Sequence, residues 1–190
     1  MNARLASLLF LTALTGITVA EAEAQAQSER PYEMVWANRT QDEFPPLIDF
    51  EDNAKWNVEG IEGTGTLTPS KERLLWGQST GKLTYRATGD NLRLRVLLSQ
   101  PVKINSSFDT VTCWVYGNKF DYEKSSNTST VSIGALFADN NGQEVEVPLK
   151  SIDYNEWFLL HRRLDSTLVT RLSKGAVFKG FTLSGGSNPD

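Results

Sequence analysis

Trp114 and Tyr116 stand two residues apart in Val111-Thr-Cys-Trp-Val-Tyr116, and Arg93 and Arg95 repeat that spacing in Leu92-Arg-Leu-Arg-Val-Leu-Leu98. In an extended strand, residues two apart share a face. Each pair therefore presents one kind of chemistry in one direction. Flat aromatic rings stack on apolar ligand faces, and guanidinium groups donate hydrogen bonds to hydroxyl and carboxyl oxygens. Sugars offer both surfaces, so the four residues suit saccharide recognition. Trp76, in Leu74-Leu-Trp-Gly77, adds a candidate exposed aromatic in a loop. The opposite assignment fits the same alternation: Trp114 and Tyr116 inside, Cys113 outside, and both arginines merely solvated.

Catalytic patterns are poorly supported. His161, the single histidine, falls near a strand end in Leu159-Leu-His-Arg-Arg163, with no Ser or Cys nucleophile pattern beside it. Cys113, the single cysteine, sits in an apolar strand pattern and reads as a buried, inert thiol. Gly60-Ile-Glu-Gly-Thr-Gly65 is followed by no Lys-Ser/Thr and no helix, so it is not a phosphate loop. No Cys/His cluster suits zinc. Two carboxylates at a fixed separation would serve glycoside cleavage, but spacing along the chain does not pick out such a pair.

The net charge of −4 carries no clustered basic face, which argues against nucleic acid and anionic lipid as partners. Met1-Asn-Ala-Arg4, the apolar run Leu5–Val19 and the small residues Ala20, Ala22, Ala24 and Ala26 follow the order of a secretory signal peptide. Residues 1–24 are therefore expected to be removed, which makes the protein exported with no membrane segment afterwards. About 165 of the 190 residues remain, enough for one domain with a real core. One cysteine allows no intrachain disulfide, so that core must hold the fold. Sequons begin at Asn38, Asn105 and Asn127 and matter only in a glycosylating host.

Residues 25–46, polar and ending in Pro45-Pro46, read as a linker or lead-in strap. From Leu47 onward, short β-branched and aromatic segments alternate with Gly, Asn, Asp and Ser clusters. The expected strands are Leu47–Glu51, Trp56–Glu59, Gly63–Thr68, Gly81–Arg86, Leu92–Ser99, Thr110–Tyr116, Thr130–Ala138, Glu144–Leu149, Trp157–Leu164 and Val177–Ser184. Asp139-Asn-Asn-Gly142 supplies a hairpin turn. One short helix is expected at Ser166–Ser173, capped by Asp165 or Ser166 and stopped by Gly175. The fold class is all-β: a two-sheet antiparallel β-sandwich, or jelly roll, spanning 47–190 with one short helix. Leu47–Glu51 as a core strand calls for a closing strand after Ser184. The turn-forming end, Gly185-Gly-Ser-Asn-Pro-Asp190, supplies none, so the domain is expected to be a fragment lacking its last strand.

Leu47-Ile-Asp-Phe-Glu-Asp52, Trp56, Gly81-Lys-Leu-Thr-Tyr-Arg86, Phe108–Gly117, Leu136–Gln143, Glu156–Leu160 and Phe178–Gly186 come in a recognisable order. Together they resemble the galactose-binding-like jelly roll of bacterial carbohydrate-binding modules, over Leu47 to the C-terminus. The resemblance implies a non-catalytic module of a larger secreted glycoside-hydrolase-like or surface protein, with a polysaccharide or glycan and a neighbouring domain as partners. It implies packing roles for Trp56 and Trp157. It also implies a structural calcium, with Glu51 or Asp52 as ligand, as against ordinary solvated acids at a strand end; no other cofactor is expected. Two other readings stay open: a structural or interaction β-sandwich that binds no sugar, and a jelly-roll polysaccharide-degrading enzyme.

Overall fold

The structure, a computed structural model, describes residues 46–51, 55–75, 77–117, 131–173 and 175–185. The expected signal peptide, nearly all of the expected strap, Asp52, Trp76, the sequons at Asn38 and Asn127 and the expected turn after Gly185 lie outside the described residues. The chain divides into two units, Met1–Phe44 with Leu75–Gly77, and Pro45–Leu74 with Gln78–Asp190. The second carries the fold described below.

Among the described residues nine strands and one helix follow in order: β1 (Trp56–Ile61), β2 (Gly63–Ser70), β3 (Thr80–Ala87), β4 (Arg93–Lys103), β5 (Thr110–Tyr116), β6 (Val131–Ala138), β7 (Glu144–Ile152), β8 (Trp157–Arg163), α1 (Ser166–Leu172) and β9 (Val177–Ser184). All pairings are antiparallel. The described residues make three sheets rather than the two expected: a five-stranded sheet ordered β1-β4-β9-β6-β7, and the two-stranded sheets β2-β3 and β5-β8. The architecture is an all-β, multi-sheet one, consistent with a β-sandwich.

Alternation in β4 builds the core. Leu92, Leu94, Val96 and Leu98 are buried on one face, while Arg93 and Arg95 point to the other. Fully burying a leucine such as Leu94 contributes about 1.5–3 kcal/mol. β6 lies between β9 and β7, and its apolar run Gly134–Ala138 is buried throughout. A spine of rings runs through the larger core cluster. Phe50 stacks on Trp56 and Trp56 on Phe181; Phe178 packs edge-on to Phe181 and Phe137, and Phe137 meets Phe108, all at 5.3–5.9 Å between centroids. Such pairs add about 0.5–1.5 kcal/mol each beyond area burial. Trp56 thus has the packing role expected of it. A second cluster joins Leu92, Leu94 and Leu183 to Ala87, with Leu83 packed against it from β3.

Helix α1 starts where Asp165 accepts the Leu168 N–H at 2.9 Å, and its Leu168, Val169 and Leu172 join the larger cluster. Its last-turn Arg171 reaches the turn between β6 and β7. There the Asp139 side chain, only 3% exposed, takes the Arg171 Nε–H at 2.8 Å and the N–H groups of Asn141 and Gln143. Gly142, at φ 78°, closes the turn.

The expected first strand does not form. Leu47–Glu51 turns instead: the Asp49 Oδ1 accepts the Glu51 N–H, Phe50 sits at φ 64°, and Leu47 is 46% exposed. An Asp that bonds the backbone two residues on competes with a sheet ladder. Ile48 packs on the larger core cluster, Phe50 stacks on Trp56, and the Phe50 carbonyl accepts the Ser79 hydroxyl at 2.7 Å, which anchors the segment without a ladder. The ladder that a closing strand was expected to complete is therefore absent at Leu47–Glu51.

Candidate functional site

β5 and β8 pair in a register that sets Tyr116 opposite Trp157, Trp114 opposite Leu159, Thr112 opposite His161 and Thr110 opposite Arg163. Opposed residues share a face. The other face carries Val111, which packs on the larger core cluster, and Cys113 opposite Leu160, which is 1% exposed. That face is the inner one. The face of Trp114 and Tyr116 is then the outer one, where Thr112 and His161 are exposed and Leu159 is 41% exposed. Of the two alternations left open by the sequence, the register fits the one with Cys113 turned inward and Trp114 and Tyr116, both half-buried, on the other face. Burial pushes the Cys113 thiol up to about 12, and the thiol is inert at neutral pH.

Sequence reasoning missed three members of this outer face. Trp157, expected to pack in the core, is half-buried and among the described residues joins neither buried cluster; it meets Tyr116 edge-on at 5.6 Å. Leu159 follows from the same alternation, and pairing β5 with β8 would have found both. Arg73, in the loop after β2, sets its guanidinium 5.2 Å from the centre of the Tyr116 ring. Nothing in the spacing of Arg73 and Tyr116 along the chain points to that contact. Beside the strip, Lys150 caps the Phe158 ring at 4.1 Å and the Tyr154 ring at 5.7 Å. The Tyr154 hydroxyl is buried with no hydrogen-bond partner among the described residues, and burial pushes it up to about 12.

Arg93 and Arg95 lie elsewhere, on the outer face of the five-stranded sheet, so the structure does not unite them with Trp114 and Tyr116 on one sheet. Arg95 is already engaged. Together with Lys179 it binds the Glu144 carboxylate, and the hydrogen bond from Lys179, then that from Arg95, holds Glu144 below its ordinary value of 4.5. Three inter-strand spacings of about 4.8 Å separate β4 from β7. The Arg95 and Glu144 side chains therefore lie flat across β9 and β6. Alongside, Glu146 accepts the Thr182 hydroxyl at 2.7 Å across β6. The residue beneath is Gly134, where a Cβ would come within 2.6 Å of Thr182 Oγ1 and 3.1 Å of Glu146 Oε1. On this face Arg95 and Lys179 are thus paired with Glu144, and Thr182 with Glu146.

Glu51 is tied to the segment before β3 by its side chain. Its Oε1 accepts the N–H groups of Gln78 and Ser79 at 2.7 and 3.1 Å, which ties the turn to β3. Among the described residues no three acidic, Cys or His side chains cluster to hold an ion, and Asp52 lies outside them. The described residues therefore do not assemble the expected calcium ligands. Nor do Tyr116 and His161 converge: His161 is four residues along β8 from Trp157, the partner of Tyr116, or about 13 Å.

No protein-family profile matches the chain, and no curated protein matches it in sequence. One solved structure is similar: a protein described in a study of the promiscuous specificity of carbohydrate-binding modules from the β-sandwich superfamily. The TM-score is 0.52 at 11% identity, over 75% of this chain and 56% of that one, so this chain corresponds to little more than half of that protein's length. At that identity the likeness speaks to fold alone, a β-sandwich, and it does not single out the galactose-binding-like family.

Proposed function

We propose that residues 47–190 form a non-catalytic carbohydrate-binding-type module of an exported protein, and that the outer face of β5-β8 holds the saccharide. The observation that carries this reading is the register that places Trp114, Tyr116, Trp157 and Leu159 on one outward face. Such a strip stacks on the apolar faces of successive sugar rings, while Thr112 and His161 offer hydrogen bonds at its far end. The finer galactose-binding-like assignment, the leader at 1–24 and attachment to a larger secreted glycoside-hydrolase-like or surface protein belong to the same proposal.

The test is titration calorimetry and affinity electrophoresis of the chain lacking residues 1–24, against a panel of soluble polysaccharides. At least one should bind, and Trp114→Ala and Trp157→Ala should each weaken it about tenfold or more. Unchanged binding in both variants would move the site elsewhere. An interaction module that binds no sugar is favoured by the exposure of Phe158 (38%) and Leu159 on β8. That reading is left standing if no polysaccharide is retained.

A further inference from the structure

We infer that the saccharide taken by the β5-β8 face is acidic, a uronate-bearing polysaccharide, and that Arg73 reads its carboxylate. The inference rests on the sugar-binding reading above and adds the substrate class. Arg73 is exposed, and its guanidinium lies against the Tyr116 ring, at the aromatic end of the strip. A guanidinium stacked on an aromatic ring keeps its in-plane N–H groups directed outward, where they can grip a carboxylate with two parallel hydrogen bonds. Among the described residues no carboxylate stands at ion-pair distance from Arg73. The adjacent Glu72 is turned to Lys82, 2.7 Å away. Arg73 thus differs from Arg95, whose charge is matched by Glu144.

The rest of the face agrees in sign. Its β8 residues end in His161 and Arg163, and its β5 residues are Thr110, Thr112, Trp114 and Tyr116, none of them acidic. Among the described residues, Asp109 stands 3.8 Å from Arg163 at the far end, with both side chains mostly exposed. From Tyr116 to Thr110 the face runs about 20 Å. It thus has cations at both ends, Arg73 and Arg163, and rings at one of them. A repeating uronate chain offers ring faces and carboxylates in that same alternation. The overall charge of −4 does not oppose this at physiological salt, where charges beyond about 8 Å are largely screened.

The experiment pairs each of several soluble uronate polysaccharides, polygalacturonate and alginate among them, with its carboxyl-reduced neutral form. Affinities are measured for the wild-type chain lacking residues 1–24, Arg73→Gln and Arg73→Lys, with melting points to show that each variant folds. The expected result is about tenfold tighter binding of an acidic chain than of its reduced form. That preference should fall to within about twofold in Arg73→Gln and be only partly kept in Arg73→Lys. Equal binding of acidic and reduced forms, unaltered by Arg73→Gln, overturns the inference and leaves the sugar-binding reading intact. An acidic preference that survives in Arg73→Gln overturns the role of Arg73. If neither form of any chain binds, the sugar-binding reading falls and the inference with it.

Discussion

The core spine from Phe50 to Phe108 and the strip on β5-β8 use the same residue types to opposite ends. In the spine, Trp56 is stacked between Phe50 and Phe181, and Phe178 packs edge-on to Phe181 and Phe137. Those rings come from the inner face of a five-stranded sheet and from segments packed on it, so each finds partners. In the strip, Tyr116 and Trp157 come from a sheet of two strands, whose inner face already meets the core through Val111 and Leu160. Their rings are left facing outward with one another and with Arg73. An aromatic residue is therefore structural or available according to which face of which sheet it occupies, not according to its type.

The contrast predicts unequal costs of truncation. Phe178→Ala should lose about 3–5 kcal/mol, because a cavity opens where rings from β6 and β9 meet. Chemical denaturation checks this, and a loss below about 1 kcal/mol would take Phe178 out of the spine.

Asp139→Asn comes next. The Arg171 hydrogen bond, followed by the Gln143 and Asn141 N–H groups, holds the Asp139 carboxyl below its ordinary 3.8 against the cost of burial. A depressed folded value means that the charged form is the one the fold favours. Its contribution is full above the unfolded value near 3.8 and is lost as pH falls through the lower folded value. The wild type should therefore lose stability on acidification through that range. The Asn variant should melt several degrees lower at neutral pH and show a shallower acid limb. Parallel limbs in the two proteins would remove Asp139 from the account.

Trp157→Ala tests the other side of the comparison. With Trp157 outside the buried clusters, its stability cost should stay near about 1 kcal/mol, the scale of one cross-strand aromatic pair. Its cost in saccharide affinity should be larger. Unfolding of this variant would return Trp157 to the core. Smallest of all is Tyr154→Phe. Removing a buried hydroxyl that has no partner should be neutral, or should stabilise by up to about 1 kcal/mol. A clear destabilisation would mean that the hydroxyl has a partner in solution.

Period-two patterning made β5 and β9 legible to the residue and the other strands to within a few residues, since each half-buried strand writes its alternation into the chain. Asp165 and Asp139-Asn-Asn-Gly142 announced the helix start and the hairpin turn by their own chemistry. Leu47-Ile-Asp-Phe-Glu51 misled because Ile48 and Phe50 are half-buried from a turn, and the backbone bond made by Asp49 is not written in any alternation. Half of the strip, Trp114 and Tyr116, could be read from one strand. The other half depends on which strand pairs with β5, and on a loop that carries Arg73 across from β2. Both are long-range facts of topology.

The most direct test of the central claim is backbone amide shift mapping during titration of the ¹⁵N-labelled domain with a polysaccharide that binds it. The account predicts the largest shifts at Thr112, Trp114, Tyr116, Trp157 and Leu159, with Arg73 among them. Shifts centred instead on Arg95, Glu144 and Thr182, across the outer face of the five-stranded sheet, would contradict it.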